Sequence, residues 1–166
     1  LINDPKSVKK TIDLKDRNNI IIKMTFEISL DKELEEYLIK RNKAVTRSDI
    51  CEFRAEKKSL KKRPIVVGFG PAGIFAALIL AEAATDPIVL ERGEAAECRI
   101  ESVKRFYATG ILDLESNIQF GEGGAGTFSD GKLKPGKIDC YKLKVLKEFV
   151  NAGAPKEILY DTYPHI

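Results

Sequence analysis

Ile65-Val66-Val67-Gly68-Phe69-Gly70-Pro71-Ala72-Gly73, running on into Ile74-Phe75-Ala76-Ala77 and later into Pro87-Ile88-Val89-Leu90-Glu91, is the stretch that decides the fold. Ile65, Val66 and Val67 read as a short buried strand. Gly68 permits a tight turn out of it. Gly70 has no side chain, so backbone there can approach a pyrophosphate closely, and Gly73 lets the next helix pack against the strand. Pro71 suits a first helical turn, where its missing N–H costs nothing. The spacing predicts a helix from Pro71 to Ala83, with Ala72 in its first turn, and a second strand over Pro87 to Glu91. Such a helix start offers free N–H groups and a partial positive charge to phosphates. Ile65 to Glu91 is 27 residues, about the size of one βαβ unit.

Glu91 completes the pattern. It ends the second strand 18 residues after Gly73, where an acid can accept hydrogen bonds from adenosine ribose hydroxyls. An acid there also repels a 2′-phosphate, which disfavours NADP at this site. A GxGxxG pattern alone is weak evidence. Here it follows a strand, opens a helix and has its acid at the right distance, so the reading is a dinucleotide site. The bland alternative is a tight strand–helix turn without a ligand.

The fingerprint does not choose between FAD and NAD. A second loop bears on that choice. Gly121-Glu122-Gly123-Gly124-Ala125-Gly126-Thr127-Phe128-Ser129-Asp130-Gly131 holds five of the chain's twelve glycines. Such density lets backbone amides line a ligand or an anion, and Thr127, Ser129 and Asp130 add polar side chains. No clear third parallel strand follows Glu91, which suits a flavin fold in which later segments wrap the ring system. A flexible surface loop is the alternative. Helices are expected from about Glu94 to Thr109, with Ile100, Val103, Phe106 and Tyr107 inward, and from about Asp139 to Ala152. Gly110 and Gly153 stop them. The last nine residues, ILYDTYPHI, read as a strand.

The start of the chain has a different character. Residues 8–14 and 19–30 read as two strands joined by a turn at Asp16 to Asn19. Ile20, Ile22, Met24, Phe26 and Ile28 share one face, which is expected to be buried. Asp31 then caps a helix through about Arg41, and Ser48 to Ala55 reads as another strand. That order resembles part of a ferredoxin-like α+β domain lacking its first strand and helix. The expected organisation is a partial ferredoxin-like domain over 1–56, a basic linker over 57–63 and a truncated Rossmann-like FAD-binding α/β unit over 64–166. Charge divides at the same place. Residues 1–63 carry 17 basic against 11 acidic side chains, and residues 64–166 carry 11 against 14.

Composition narrows the class. At 43% apolar and 32% charged, the 166 residues describe a globular protein. The longest apolar run, Ile74 to Ala81, is eight residues, whereas a membrane-spanning helix needs about twenty. Cys51, Cys98 and Cys140 form no CxxC pair, and no metal-ligand set stands out. Three cysteines without a secretion signal favour a reducing, cytoplasmic compartment. The chain opens on Leu1, which reads as a cut or processed end.

RPIVVGFGPAGIFAALILAE, PIVLERG, ESNIQFGEGGAGTFSDGKL, VLKEFVNAGAPKEILY and the final PHI resemble the uncharacterised FAD-dependent dehydrogenases, a class with a glutathione-reductase-like FAD-binding fold. The resemblance covers Arg63 to Ile166 and, more weakly, the preceding small domain. It implies a flavin-dependent oxidoreductase with non-covalent FAD, an unassigned small-molecule substrate, and NAD(P)H as a candidate electron donor or acceptor. By position, Gly68, Gly70 and Gly73 would face the pyrophosphate and Glu91 the adenosine ribose. Pro71 and Ala72 would stand beside the phosphates, and Arg92 beside the adenosine. Arg99 would either pair with a phosphate or stand as a surface arginine. Gly123, Gly124, Ala125, Gly126, Thr127 and Ser129 would run near the flavin ring or the pyrophosphate; for Asp130 and Lys132 a loop cap and a solvated charge serve equally well. Members of that family are several times longer, so the chain is expected to be the front of a larger enzyme.

Rival readings are an NAD-binding Rossmann reductase, an inactive truncated product and a nucleic-acid-binding module built on the basic linker. The strand holding Phe26 lacks the stacking aromatics that the last of these needs. Cys98 reads as a small buried filler and His165, the single histidine, as structural or solvated. No catalytic residue is assigned.

Overall fold

A computed structural model of the chain describes residues 5–16, 18–48, 52–133 and 139–166. The architecture is mixed α/β, with two small sheets and four α-helices among the described residues. The chain packs as two units. One is Leu1–Phe53 with Gly131–Ile166, and the other is Arg54–Asp130.

In the first unit, β1 (Lys6–Asp13) and β2 (Ile21–Glu27) form an antiparallel hairpin, with Asp13 opposite Ile21 and Lys6 opposite Glu27. The Asp16 carboxylate accepts the Asn18 N–H at 2.9 Å and fixes the turn. Asp31 caps α1 (Lys32–Arg41) by accepting the Leu34 N–H at 2.8 Å. Asp139 does the same for α4 (Cys140–Asn151) through Lys142 N–H at 2.9 Å. Leu146 on α4 and Ile158 on the following short 3-10 turn are buried.

The sequence boundary at residue 63 places 131–166 with the glycine-rich part, but these residues pack in the first unit. The reason lies at Lys10. Its N–H donates to the Tyr160 carbonyl at 2.7 Å, and its carbonyl accepts the Thr162 N–H at 3.1 Å. Its ammonium pairs with Asp161 at 3.3 Å. The terminal segment therefore completes β1, yet it is not the continuous strand expected. Lys156–Leu159 turns as a 3-10 helix, and only single bridges follow, Lys10 to Asp161 and Lys132 to His165. The face of Ile20, Ile22, Met24, Phe26 and Ile28 is exposed, not buried, with Ile22 at 60%. Alternation sets which side chains share a face, but α1 contributes no buried residue to cover this one. Of the strand expected over Ser48 to Ala55, residues 49–51 lie outside the described residues, and Ser48 and 52–55 are irregular.

In the second unit, β3 (Ile65–Val67) and β4 (Ile88–Leu90) pair in parallel, Val66 opposite Val89, with α2 (Pro71–Glu82) as their crossover. β3 is not the buried strand expected: Val67 is 81% exposed, because α2 covers the opposite face, where Val66 lies beside Gly73. The basic linker is tied to this unit. Lys58 N–H donates to the Ala83 carbonyl at 2.9 Å, and Arg63 Nε donates to the Asp86 carbonyl at 2.8 Å. α3 (Ala96–Thr109) ends at Gly110 in the left-handed region. Its inward face is centred on Arg99, Ser102 and Val103, whereas Ile100, Tyr107 and Cys98 are exposed. Cys98 is thus a surface residue and not a buried filler, since it stands one position round the helix from Arg99. No helix among the described residues is long and apolar enough to cross a membrane.

Candidate functional site

The site is built from three segments of the second unit: the turn after β3, the end of β4 and a glycine loop that coils into a short 3-10 helix (Gly124–Phe128). The first segment depends on Gly73. A Cβ there would drive into the Gly68 carbonyl, so α2 can leave β3 at this angle only with glycine at that position. Gly70 is the N-cap of α2 and supplies no side-chain cap, and Pro71 opens the helix. The N-terminal end of α2 is therefore left without an acceptor of its own from the cap residue.

Glu91 closes the second segment onto the first. One carboxylate oxygen accepts the Phe69 N–H at 2.6 Å, and the other accepts the Gly93 N–H at 2.8 Å. The Gly93 and Phe69 amides, helped by the Arg92 amide and the Arg99 charge, hold the Glu91 carboxyl below the usual carboxylate range, against the opposing effect of partial burial. A carboxylate offers about four lone-pair sites. The Phe69 and Gly93 amides each take one, which leaves room on the carboxylate for a hydroxyl donor.

The third segment sits on the first. Gly123 N–H donates to the Phe69 carbonyl at 2.8 Å. At Gly124, a Cβ would approach Pro71 Cδ at 3.2 Å and Gly70 Cα at 3.3 Å, so the loop and the start of α2 meet backbone to backbone. Both glycine-rich stretches singled out in the sequence are brought together here, although they lie 50 residues apart at Gly73 and Gly123. Gly126 lies near the Pro71 ring, Ala125 is exposed, and Ser129 ends the 3-10 helix with its N–H on the Gly126 carbonyl at 3.1 Å. Thr127 is exposed, and its hydroxyl donates to the Glu122 carbonyl at 3.1 Å.

Arg99 is neither on the surface nor free to reach out to a phosphate. It is fully buried beneath the loop. Nε and Nη2 donate to the Asn117 carbonyl at 3.2 and 2.7 Å, and Nη2 also donates to the Ile118 carbonyl at 3.0 Å. Nη1 donates to the carbonyls of Glu122 and Gly124, the latter at 2.9 Å, and to the Thr127 hydroxyl at 3.3 Å. The guanidinium lies over the Phe128 ring, 5.0 Å from its centre. Burial pulls its pKa down, while the carboxylates of Glu91 and Glu122 push back. An arginine keeps its proton under such conditions. A buried cation costs several kcal/mol to desolvate, so this one is tolerated only because its donors meet carbonyl oxygens.

Arg92 points elsewhere. It pairs with Glu115 at 3.0 Å and lies over the Phe120 ring at 4.9 Å. His165 belongs to the first unit and is exposed. The sequence reading missed Asn117, Ile118 and Glu122. The Glu122 carboxylate caps α3 by accepting the Ala96 N–H at 2.8 Å. A signal for Arg99 was present, since it sits four positions before Val103 and seven before Phe106, in register with the apolar stripe of α3.

No protein-family model matches the chain. A protein of Clostridium beijerinckii described as uncharacterised is 46% identical over 164 residues, which is 96% of this chain and 30% of the relative's length. A shorter stretch of 44 residues, 26% of this chain, is 50% identical to the probable electron transfer flavoprotein-quinone oxidoreductase YdiS of Escherichia coli and covers 10% of it. The chain thus spans less than a third of the first of these proteins and a tenth of the second. The similarity to an oxidoreductase is therefore partial.

Proposed function

We propose that the chain is the nucleotide-holding part of an FAD-dependent oxidoreductase, a dehydrogenase, with a Rossmann-like FAD-binding unit. The observation that carries this reading is the meeting of two glycine-rich turns at the start of α2, joined by the Gly123 N–H to Phe69 carbonyl bond, with Glu91 at the third corner. The residues fit the adenosine diphosphate half of a dinucleotide. Gly70 and Gly124 present backbone without side chains, and α2 presents an uncapped end to an anion. Glu91 has lone pairs for ribose hydroxyls. FAD, when bound, supplies the redox chemistry, and the chain's own part is to hold and orient it. Gly68, Gly70, Pro71, Ala72 and Gly73 take the diphosphate from one side and Gly123 to Gly126 from the other. Arg99 acts from beneath the loop, with the Thr127 hydroxyl among its acceptors. NAD(P)H is a candidate electron partner, the substrate is a small molecule, and the cytoplasm is the expected setting.

The test is spectroscopic and thermal. The intact protein, as purified or after addition of FAD, is expected to show flavin absorption. FAD is expected to raise its melting temperature by mass action where NAD at equal concentration does not. A protein with no flavin absorption and no FAD-dependent shift overturns the reading, and a shift with NAD alone replaces it with a nicotinamide reductase.

A further inference from the structure

We infer that Arg99 is a positioning residue, which turns the second glycine loop into the wall that faces the diphosphate and not the flavin ring. This rests on the dinucleotide reading of the site. Three observations carry it. First, the hydrogen bonds of the buried guanidinium go to the segment Asn117 to Thr127, and none goes to the β3–α2 turn. Arg99 therefore acts on the loop and not on a ligand directly. Second, it takes the carbonyl oxygens of Asn117, Ile118, Glu122 and Gly124, drawing these acceptors to the underside. Acceptors drawn inward no longer repel an anion on the other side, and the trapped charge adds an attractive field through a low-dielectric layer. Third, the loop held in this way meets the turn into α2, where a diphosphate is expected, through Gly123 at the Phe69 carbonyl and through Gly124 beside Gly70 and Pro71.

Lysine can replace the charge but not the geometry. One ammonium has three donors on a point, whereas the observed arrangement uses three nitrogens spread over a plane. R99K should therefore recover part of what R99Q loses.

The experiment compares wild type, R99K and R99Q in the flavin-stripped intact protein. Binding of ADP and of adenosine is measured by calorimetry, and amide exchange is followed over 121–128 and over α2. R99Q is expected to lower ADP affinity at least about tenfold, a loss of roughly 1.4 kcal/mol, while adenosine affinity changes by less than about twofold. Exchange over 121–128 should speed up while α2 keeps its protection, and R99K should fall between the two. Equal losses for ADP and adenosine, or unprotected α2, would make Arg99 a general fold residue and overturn the inference. So would unchanged ADP affinity in R99Q. A wild type that binds neither ligand refutes the dinucleotide reading itself, and with it the diphosphate role of the loop; exchange over 121–128 in R99Q then shows separately whether Arg99 orders the loop.

Discussion

Substituting Glu91→Gln tests the junction on which the site depends. In the structure two backbone amides converge on two different oxygens of one carboxylate, Phe69 N–H at 2.6 Å and Gly93 N–H at 2.8 Å. Glutamine supplies one carbonyl oxygen and turns an NH₂ group toward the other amide. One bond survives without its charge, and the second becomes a donor facing a donor. Hydrogen bonds to charged groups contribute about 1.5–3 kcal/mol and neutral ones about 0.5–1.5 kcal/mol. With partial solvent access, the expected net loss is about 2 kcal/mol, roughly thirtyfold in the opening equilibrium. Native-state amide exchange at Phe69 and Gly93 reads this directly. The pH dependence supplies a second arm. Because the folded Glu91 carboxyl titrates below its unfolded value, the unfolded chain binds more protons in that window, and stability rises with pH. The contribution is complete above the ordinary glutamate value of about 4.3. It is lost as pH falls through the depressed folded value. The stability gap between wild type and E91Q in urea should therefore be widest near neutrality and close in acid. A gap that is constant with pH, or unchanged protection of both amides, would refute the reasoning.

Two further substitutions probe the same unit. Gly73→Ala places a Cβ against the backbone carbonyl of Gly68, which cannot swing aside. Its cost should reach or exceed the upper end of the usual 1–3 kcal/mol for overpacking, read as a lower urea midpoint with loss of any FAD-induced thermal shift. Ala84 follows the last turn of α2 at φ 59°, a left-handed conformation that suits glycine. Ala84→Gly should therefore stabilise the protein by up to about 1 kcal/mol, a rise in melting temperature of a few degrees; a fall would show that the strain assigned to Ala84 is not there.

The βαβ unit was legible because its signals are local. Glycine at three positions, proline at the first helical turn and an acid at the strand end each act within a few residues of where they stand. The cap at Asp31 and the stop at Gly110 were legible for the same reason. Burial was not. Alternation grouped Ile20, Ile22, Met24, Phe26 and Ile28 on one face, but whether another element covers that face is decided far along the chain. The terminal segment was misread for a related cause, because its partner is Lys10, 151 positions before Asp161. Arg99 inverts the rule that charge faces water. Its carbonyl partners follow 18 to 25 residues later, and a glycine-rich stretch does not reveal from its spelling that it will wrap a guanidinium.

Gly121 carries a consequence for how this sequence can drift. It sits at φ 116°, and the space where its Cβ would lie is filled by Cδ and Nε of Arg99. Any side chain at 121 expels the guanidinium, and with it the carbonyls that the guanidinium gathers. Conversely, once Arg99 is shortened, much of the steric case against alanine at 121 disappears, although the backbone conformation still disfavours it. The effects of changes at the two positions should not add. Along a mutational path the second change would cost less than the first, so each residue acts as a ratchet on the other, and the pair should be lost together or kept together.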